Sequence, residues 1–313
     1  MEGTKLVENL VARMGVIPPQ VDILSLRQYP LDEIERRAKR FLEVLGETCK
    51  QPMDRGDWVR QLDRTVIRMP LGARAVLYPA SGAMSIKTGL EPMEALYRED
   101  ENRDALLKSI EQVAADSRIH DWIGPGASLR FERLWYVKAA AVSRDGNIIR
   151  SVLCRAVGSY RHVVRELPVW GPASVVVKVA ADGRLDSLAL QMREPTGETV
   201  EQVTVLRPEQ AAHKIVLQLR GLVGKSKLNL DEAAKPEWMH FGYWSLSKHK
   251  SQRLLAPVYA AAIHLGGKQE SQGYLFVIPA TEIAYLPLPV GIEAKPTPLR
   301  QATGEVRVKA ATH

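Results

Sequence analysis

Hairpin turns placed between short β-rich runs are the feature that most limits how this chain folds. Asp182-Gly183 lies between two apolar runs, and Asp145-Gly146 is placed in the same way. Asp-Gly pairs accept the positive φ angles of two-residue hairpin turns, so each pair joins neighbouring antiparallel strands. The stretch 127–193 is therefore predicted to be almost entirely antiparallel sheet.

Helical periodicity marks segments on both sides of this stretch. The clearest helix carries apolar residues at the spacing of one helix face: Ile34, Ala38, Phe41 and Leu45. Asp32 is predicted to cap its start and Gly46 its end. A later helix is predicted to begin with Pro208 at its first position.

A helix leads into a meander of strands near 32–87, near 94–193 and near 208–279. This order predicts an α+β fold with helices packed on antiparallel sheets. Gly124-Pro125-Gly126 is a strong breaker and predicts a domain boundary. The predicted divisions are an N-terminal α+β region (1–124), an antiparallel α+β region (125–286) and an extended Pro-rich tail (287–313).

The middle and end of the chain resemble the FTP and PepSY modules of thermolysin-type protease propeptides and of stand-alone bacterial proteins. The matching residues are Tyr160-Arg-His-Val-Val-Arg-Glu-Leu-Pro-Val-Trp-Gly171, followed by a strand, Asp182-Gly183 and another strand. Further along, Arg207-Pro-Glu-Gln-Ala211 and Leu255-Ala-Pro-Val-Tyr259 resemble the following PepSY unit. The resemblance covers roughly residues 127–285.

This resemblance implies a fold of repeated cystatin-like helix-plus-antiparallel-sheet modules. In the propeptides, such modules assist folding of the attached protease and inhibit it. The family offers no catalytic residues to transfer to this sequence. No protease domain follows in this chain, which leaves the chaperone and inhibitor roles open.

Composition limits the class of protein. The 313 residues carry 43 basic and 36 acidic side chains, for a formal net charge of +7. This bias favours anionic partners, although the two signs are interleaved. No signal peptide and no membrane span are recognisable, so the expectation is a soluble protein that is cytoplasmic by default. Cys49 and Cys154 are expected to be reduced thiols.

The motif search finds no catalytic set. The seven histidines form no HExxH or HxH arrangement, and no serine lies in a GxSxG elbow. Two residues separate the glycines of Gly221-Leu-Val-Gly-Lys-Ser226, whereas a phosphate-binding P-loop has four residues between its glycines. No catalytic residue, metal or cofactor is predicted, and an enzyme whose site is assembled from distant residues stays open.

Tryptophans and one basic turn are the candidate binding residues. Trp170 is a candidate surface anchor for a protein partner. A second group combines aromatic and basic residues near a predicted turn: Trp238, Trp244, Lys248, Lys250 and Arg253. Such a group can bind nucleic acid or another anionic surface, but half-buried strands also require alternating aromatics, and this second interpretation is favoured.

The sequence therefore predicts a non-catalytic protein-binding module, acting as an inhibitor, a chaperone-like protein or a structural component of an assembly. An enzyme with a hidden site is the alternative. Binding of nucleic acid or an anionic surface through the 248–253 loop is less favoured. The partner protein and the oligomeric state are left open.

Overall fold

The computed structural model describes residues 3–97, 102–140, 151–224, 229–266, 271–289 and 292–294. Its helices are α1 (Thr4–Val11), α2 (Leu31–Cys49), α3 (Arg103–Asp116), α4 (Pro208–Val223) and α5 (Leu230–Ala233). Its first eight strands are β1 (Gln20–Leu26), β2 (Asp57–Arg60), β3 (Thr65–Arg68), β4 (Arg74–Tyr78), β5 (Ala83–Lys87), β6 (Ala127–Ala139), β7 (Val152–Val164) and β8 (Leu167–Trp170). The remaining strands are β9 (Ser174–Val179), β10 (Leu185–Gln191), β11 (Pro195–Thr204), β12 (Ala234–Trp244), β13 (Leu254–Leu255), β14 (Pro257–Gly266), β15 (Ser271–Pro279) and β16 (Ile292–Ala294).

One large sheet dominates the described part of the chain. It contains 13 strands, twelve of them in the order β16-β15-β14-β12-β8-β7-β9-β10-β5-β4-β3-β2, with β6 attached to β7. A second sheet has three strands in the order β11-β1-β13. All pairs are antiparallel except β8 with β12, where Val169 pairs with Tyr243 and Trp170 with Trp244. The large sheet is therefore mixed.

The predicted fold class is wrong. Instead of α+β with repeated cystatin-like helix-plus-antiparallel-sheet modules, the protein is mostly β, with 41% strand and 26% helix. The reason is that distant segments join: β5 pairs with β10, and β8 pairs with β12. Hairpin turns in a sequence report pairing between neighbours, and they do not report such distant joins.

Local features of the sequence are largely reproduced. Asp182-Gly183 joins β9 to β10 as an antiparallel pair, which confirms the predicted hairpin. Pro208 opens α4, and Gly224 caps its end. The Asp145-Gly146 turn lies outside the described residues. So does most of the predicted tail at 287–313, in which Ile292–Ala294 pairs with β15.

The ends of α2 differ from the prediction. The helix begins at Leu31 after Pro30, which places Asp32 inside the first turn, where a carboxylate favours the helix dipole. Gly46 lies within the helix, and Lys50 ends it in a left-handed conformation. A Cβ on Gly46 would lie 2.7 Å from the Gln51 carbonyl oxygen. Gly46 therefore permits a close backbone approach and does not end the helix.

Two hydrophobic clusters form the interior. In the first, α2 and α3 pack on β3–β5, β7, β9 and β10, with fully buried members that include Leu42, Leu45, Ile110, Val177 and Leu190. In the second, α1, α4 and the small sheet pack on β12, β14 and β15, with members that include Leu10, Ile23, Ile215, Tyr259 and Phe276. Each cluster draws residues from both sides of the division at 124–125, which stays a prediction.

Helices of this fold are short or amphipathic. Within the described residues, none combines the length and the apolar character that crossing a lipid bilayer requires.

Candidate protein-binding surface

Strand β6 lies at a margin of the large sheet. It pairs with β7 from Ala127 opposite Val164 to Ala139 opposite Val152. Among the described strands, β7 is its single partner, so the other long side of β6 presents backbone groups without a ladder. We refer to this side, with the side chains of β6, as the β6 edge.

The β6 edge exposes three consecutive large apolar side chains. Trp135 is 38% exposed, Tyr136 45% and Val137 37%. A β-bulge between Phe131 and Arg133 shifts the alternation of the strand at this point. Phe131 and Leu134 turn towards the first cluster, while Trp135 lies opposite Val157 on the other face. Consecutive strand residues face opposite sides, so a run of apolar residues leaves some of them in solvent.

The exposed charges of the β6 edge are mainly positive. Arg130, Arg133 and Lys138 are exposed, and no described acidic side chain forms an ion pair with them. Glu132 is bound by Arg161, whose guanidinium donates to both carboxylate oxygens at 2.7 and 2.8 Å. Arg130 also lies opposite Arg161 across the β6–β7 pair. The uncompensated charge on this edge therefore favours an acidic partner.

A second aromatic group lies where β8 meets β12. The imidazole of His240 stacks on the indole of Trp170, with ring centroids 4.7 Å apart, and on that of Trp238 at 5.0 Å. The guanidinium of Arg161 lies over the Trp170 ring at 5.1 Å from its centroid. We call Trp170, His240 and Trp238 the aromatic stack. The structure thus brings together two of the predicted binding residues, Trp170 and Trp238.

Contacts inside the protein satisfy the aromatic stack. The indole N–H of Trp170 donates to the Phe241 carbonyl at 3.1 Å. Its ring occupies the space above Gly242, where a Cβ would lie 2.7 Å from Nε1 of Trp170. Burial, and to a smaller extent the charge of Arg161, lowers the pKa of His240. The stack therefore acts first as a bridge between β8 and β12.

The other predicted binding residues lie in different surroundings. Trp244 is buried within the second cluster at 9% exposure. The ammonium of Lys248 lies 4.2 Å from the centroid of the Tyr78 ring, and the Lys248 carbonyl accepts a hydrogen bond from Ser81 at 2.8 Å. The 248–253 loop is thus held against β4 and the turn after it, and its role in binding an anionic surface stays a prediction.

Arg193 forms hydrogen bonds with the backbone of the same loop. It donates to the carbonyl oxygens of Ser247 and Lys250 at 3.1 and 2.6 Å, and burial lowers its pKa to about 10. The carbonyl of Arg253 accepts from the backbone N–H of Leu26 at 2.8 Å. These bonds use the loop backbone and do not involve the side chains of Lys250 and Arg253.

Sequence reasoning missed the β6 edge. It predicted the strand that contains Trp135 and Tyr136, but it did not identify these residues as exposed. One available signal was the run from Leu134 to Val137, because four consecutive large apolar residues cannot all face one core in a strand. The unpaired side of β6 has no counterpart in the sequence.

Two observations concern the enzyme alternative. No three His, Cys, Asp or Glu side chains there are grouped so that they could hold a metal ion. An open groove between α2 and β2 is lined mainly by charged residues: Asp32, Glu35, Arg36, Lys39, Asp54, Gly56, Trp58 and Arg60. Arg60 and Glu35 pair across it at 2.5 Å. The enzyme alternative stays untested.

No protein-family model and no curated protein matches this chain. Among solved structures, an uncharacterized protein from Eubacterium rectale ATCC 33656 is similar, with a TM-score of 0.55 and 10% sequence identity over 86% of this chain and 87% of that one. The Bacillus megaterium YpeB C-terminal domain matches with a TM-score of 0.30 and 13% identity, over 82% of this chain and 95% of that one. The first similarity shows a shared fold alone, and the second is too distant to support an argument.

Proposed function

We propose that this chain is a non-catalytic protein-binding module that takes up an extended acidic segment of a protein as an added strand on the β6 edge. The observation that supports the proposal is the unpaired side of β6 with Trp135, Tyr136 and Val137 exposed beside it. In strand addition, backbone hydrogen bonds provide affinity, and the side chains of alternate residues provide specificity.

The side chains of β6 define what the added strand should contain. Arg133, Trp135 and Val137 lie opposite Ser159, Val157 and Arg155, so these three side chains share one face of the sheet. An added strand would meet cations near Arg130 and Arg133 and apolar surface near Trp135 and Val137. A segment with acidic residues at one end and apolar residues at the other fits this pattern.

The family resemblance belongs to the same proposal. The β8 strand, the turn at Gly171 and the Asp182-Gly183 hairpin match the turn-and-strand pattern of the FTP and PepSY modules. In protease propeptides those modules act on another protein domain, which is consistent with a binding role here.

A synthetic peptide tests the proposal. The peptide Val-Thr-Val-Thr-Glu-Thr-Glu places two apolar and two acidic residues on one face of a strand. We expect it to bind, as measured by fluorescence anisotropy, and to slow hydrogen exchange at alternate backbone amides of β6. Alternate protection is specific to strand addition, because every second N–H of an edge strand points outwards.

The control peptide carries Lys in place of Glu, and the control variant is Arg74→Glu on the distant strand β4. We expect the Lys peptide to bind at least about tenfold more weakly. Arg133→Glu should weaken binding of the acidic peptide, and Arg74→Glu should not. If neither peptide protects alternate β6 amides, the proposed function is wrong.

A further inference from the structure

We propose that a second copy of this chain supplies the added strand, through its own strand β11, so that copies associate head to tail from β11 to β6. This inference rests on the proposed function, since it names the partner of the β6 edge. Its basis is that the fold contains a second free edge whose charge is opposite to that of β6.

Strand β11 is at the margin of the small sheet. Among the described strands it pairs with β1 alone, from Gln20 opposite Thr204 to Leu26 opposite Pro195. Its residues from Gly197 to Gln202 are all exposed, and Val200 is 56% exposed. Like β6, this strand has a side without a strand partner and exposes an apolar side chain, while Arg165 donates to the Gly197 carbonyl at 2.9 Å and to the Thr199 hydroxyl at 2.7 Å.

The charged side chains of β11 are acidic. Glu198 and Glu201 are exposed, and the strand contains no basic residue. The carboxylate of Glu198 has no partner in the described structure, while Glu201 accepts a hydrogen bond from the Tyr285 hydroxyl at 2.8 Å. Two acidic residues separated by apolar and hydroxyl side chains complement the cations and apolar residues of β6.

Pairing of two like edges in a central register brings like charges together. An antiparallel pair of two β6 strands centred on Leu134 would set Arg130 opposite Lys138. An antiparallel pair of two β11 strands centred between Thr199 and Val200 would set Glu198 opposite Glu201. Like charges directly opposite each other destabilise a strand pair, which leaves β6 with β11 as the favourable combination.

Association between unlike surfaces is heterologous, so it produces rings or open chains and not a closed two-fold dimer. Within one copy, β6 and β11 are not paired, although Gly197 lies near Pro125, just before β6. The contact must therefore form between copies. A single added strand is a small interface, so association is expected in the micromolar range or weaker.

Two charge variants, each with one damaged edge, provide the test. Arg133→Glu alters the β6 edge and keeps β11, and Glu198→Arg does the reverse. Sedimentation velocity of the full chain at about 100 μM should show oligomers larger than dimers for the wild type and mainly monomer for each variant. An equimolar mixture of the variants should associate again, because the intact β11 edge of one variant meets the intact β6 edge of the other, and the two altered edges carry opposite charges.

The matched control is Arg74→Glu, which should associate like the wild type, and far-UV circular dichroism checks that each variant is folded. A wild type that stays monomeric, variants that oligomerise like the wild type, or a mixture that stays monomeric would each overturn the inference. If the acidic peptide still protects β6 amides in that case, the proposed function stands while self-association fails.

Discussion

The aromatic stack and the β6 edge are two groups of large aromatic side chains on one sheet, and they differ in what satisfies them. Trp170 stacks on the His240 imidazole, lies under the Arg161 guanidinium and has a carbonyl acceptor for its N–H. Trp135 has no described ring contact or hydrogen bond and is 38% exposed. The two tryptophans therefore differ in role: Trp170 is held by contacts within the protein, while Trp135 is available to a partner.

This difference leads to opposite expectations for stability and binding. Residues of the aromatic stack should matter for the folded state, because they hold β8 on β12. Residues of the β6 edge should matter for partners and little for folding.

Gly242→Ala should have the largest effect on stability, because the added Cβ would clash with the backbone beside the aromatic stack. The new Cβ would lie 2.3 Å from the Pro168 carbonyl oxygen, and no side-chain rotation relieves a clash with backbone. We expect the free energy of unfolding to fall by about 3 kcal/mol or more, measured by urea denaturation.

Gly221→Ala in α4 is the control for this substitution, since no atom lies within 4 Å of the corresponding Cβ. Alanine favours a helix over glycine by up to about 1 kcal/mol, so this variant should be as stable as the wild type or slightly more stable. If both variants have the same stability, the close packing of Trp170 over Gly242 is wrong.

The two regions also differ in how far the sequence predicts them. The Leu-Pro-Val-Trp-Gly turn identifies Trp170 as a notable residue, and Trp238 belongs to the predicted group of aromatic and basic residues. That Trp170 lies against His240 follows from the parallel β8–β12 pair, which joins residues more than 70 positions apart. Hairpin turns and periodicity contain no information on such a pair.

For the β6 edge, the sequence predicts the strand but not its position at the margin of the sheet. The sequence predicts the strand correctly, since its residues favour β structure, but an edge is defined by the absence of a neighbour. Whether a strand is central or marginal depends on the order of all strands in the sheet. Local helices and hairpins were therefore predictable, while the mixed sheet and its edges were not.

The buried His162 on β7 should make the stability of the protein depend on pH. His162 on β7 is 1% exposed, and burial lowers its pKa to about 4. Below the usual histidine pKa near 6.5, the unfolded chain binds a proton that the native state does not. Protonation of His162 therefore leaves the free energy of unfolding unchanged above about pH 6.5. Between about pH 6.5 and 4 it lowers this free energy by about 3 kcal/mol in total.

The measurement is the free energy of unfolding from urea titrations across this pH range, for the wild type and for His162→Leu. The difference between the two slopes isolates His162, because the carboxylates titrate in both proteins. If the free energy of unfolding has the same pH dependence in both proteins, His162 is hydrated in the native state. The buried face of β7 and the exposed β6 edge would then not differ as described.

The smallest effect on stability is expected for Trp135→Ala, and comparing it with Trp170→Ala tests the contrast between the two regions directly. Trp170→Ala removes ring contacts and leaves the Phe241 carbonyl without its donor, so it should cost about 2–3 kcal/mol of unfolding free energy. Trp135→Ala should cost less than about 1 kcal/mol, because much of its ring is already in water.

Binding of the acidic peptide should reverse this order, with at least about a tenfold loss of affinity for Trp135→Ala and little change for Trp170→Ala, since exposed aromatic residues dominate binding energy at protein interfaces. If Trp135→Ala instead destabilises the fold as much as Trp170→Ala does, then Trp135 is part of the core and the β6 edge is not a binding surface.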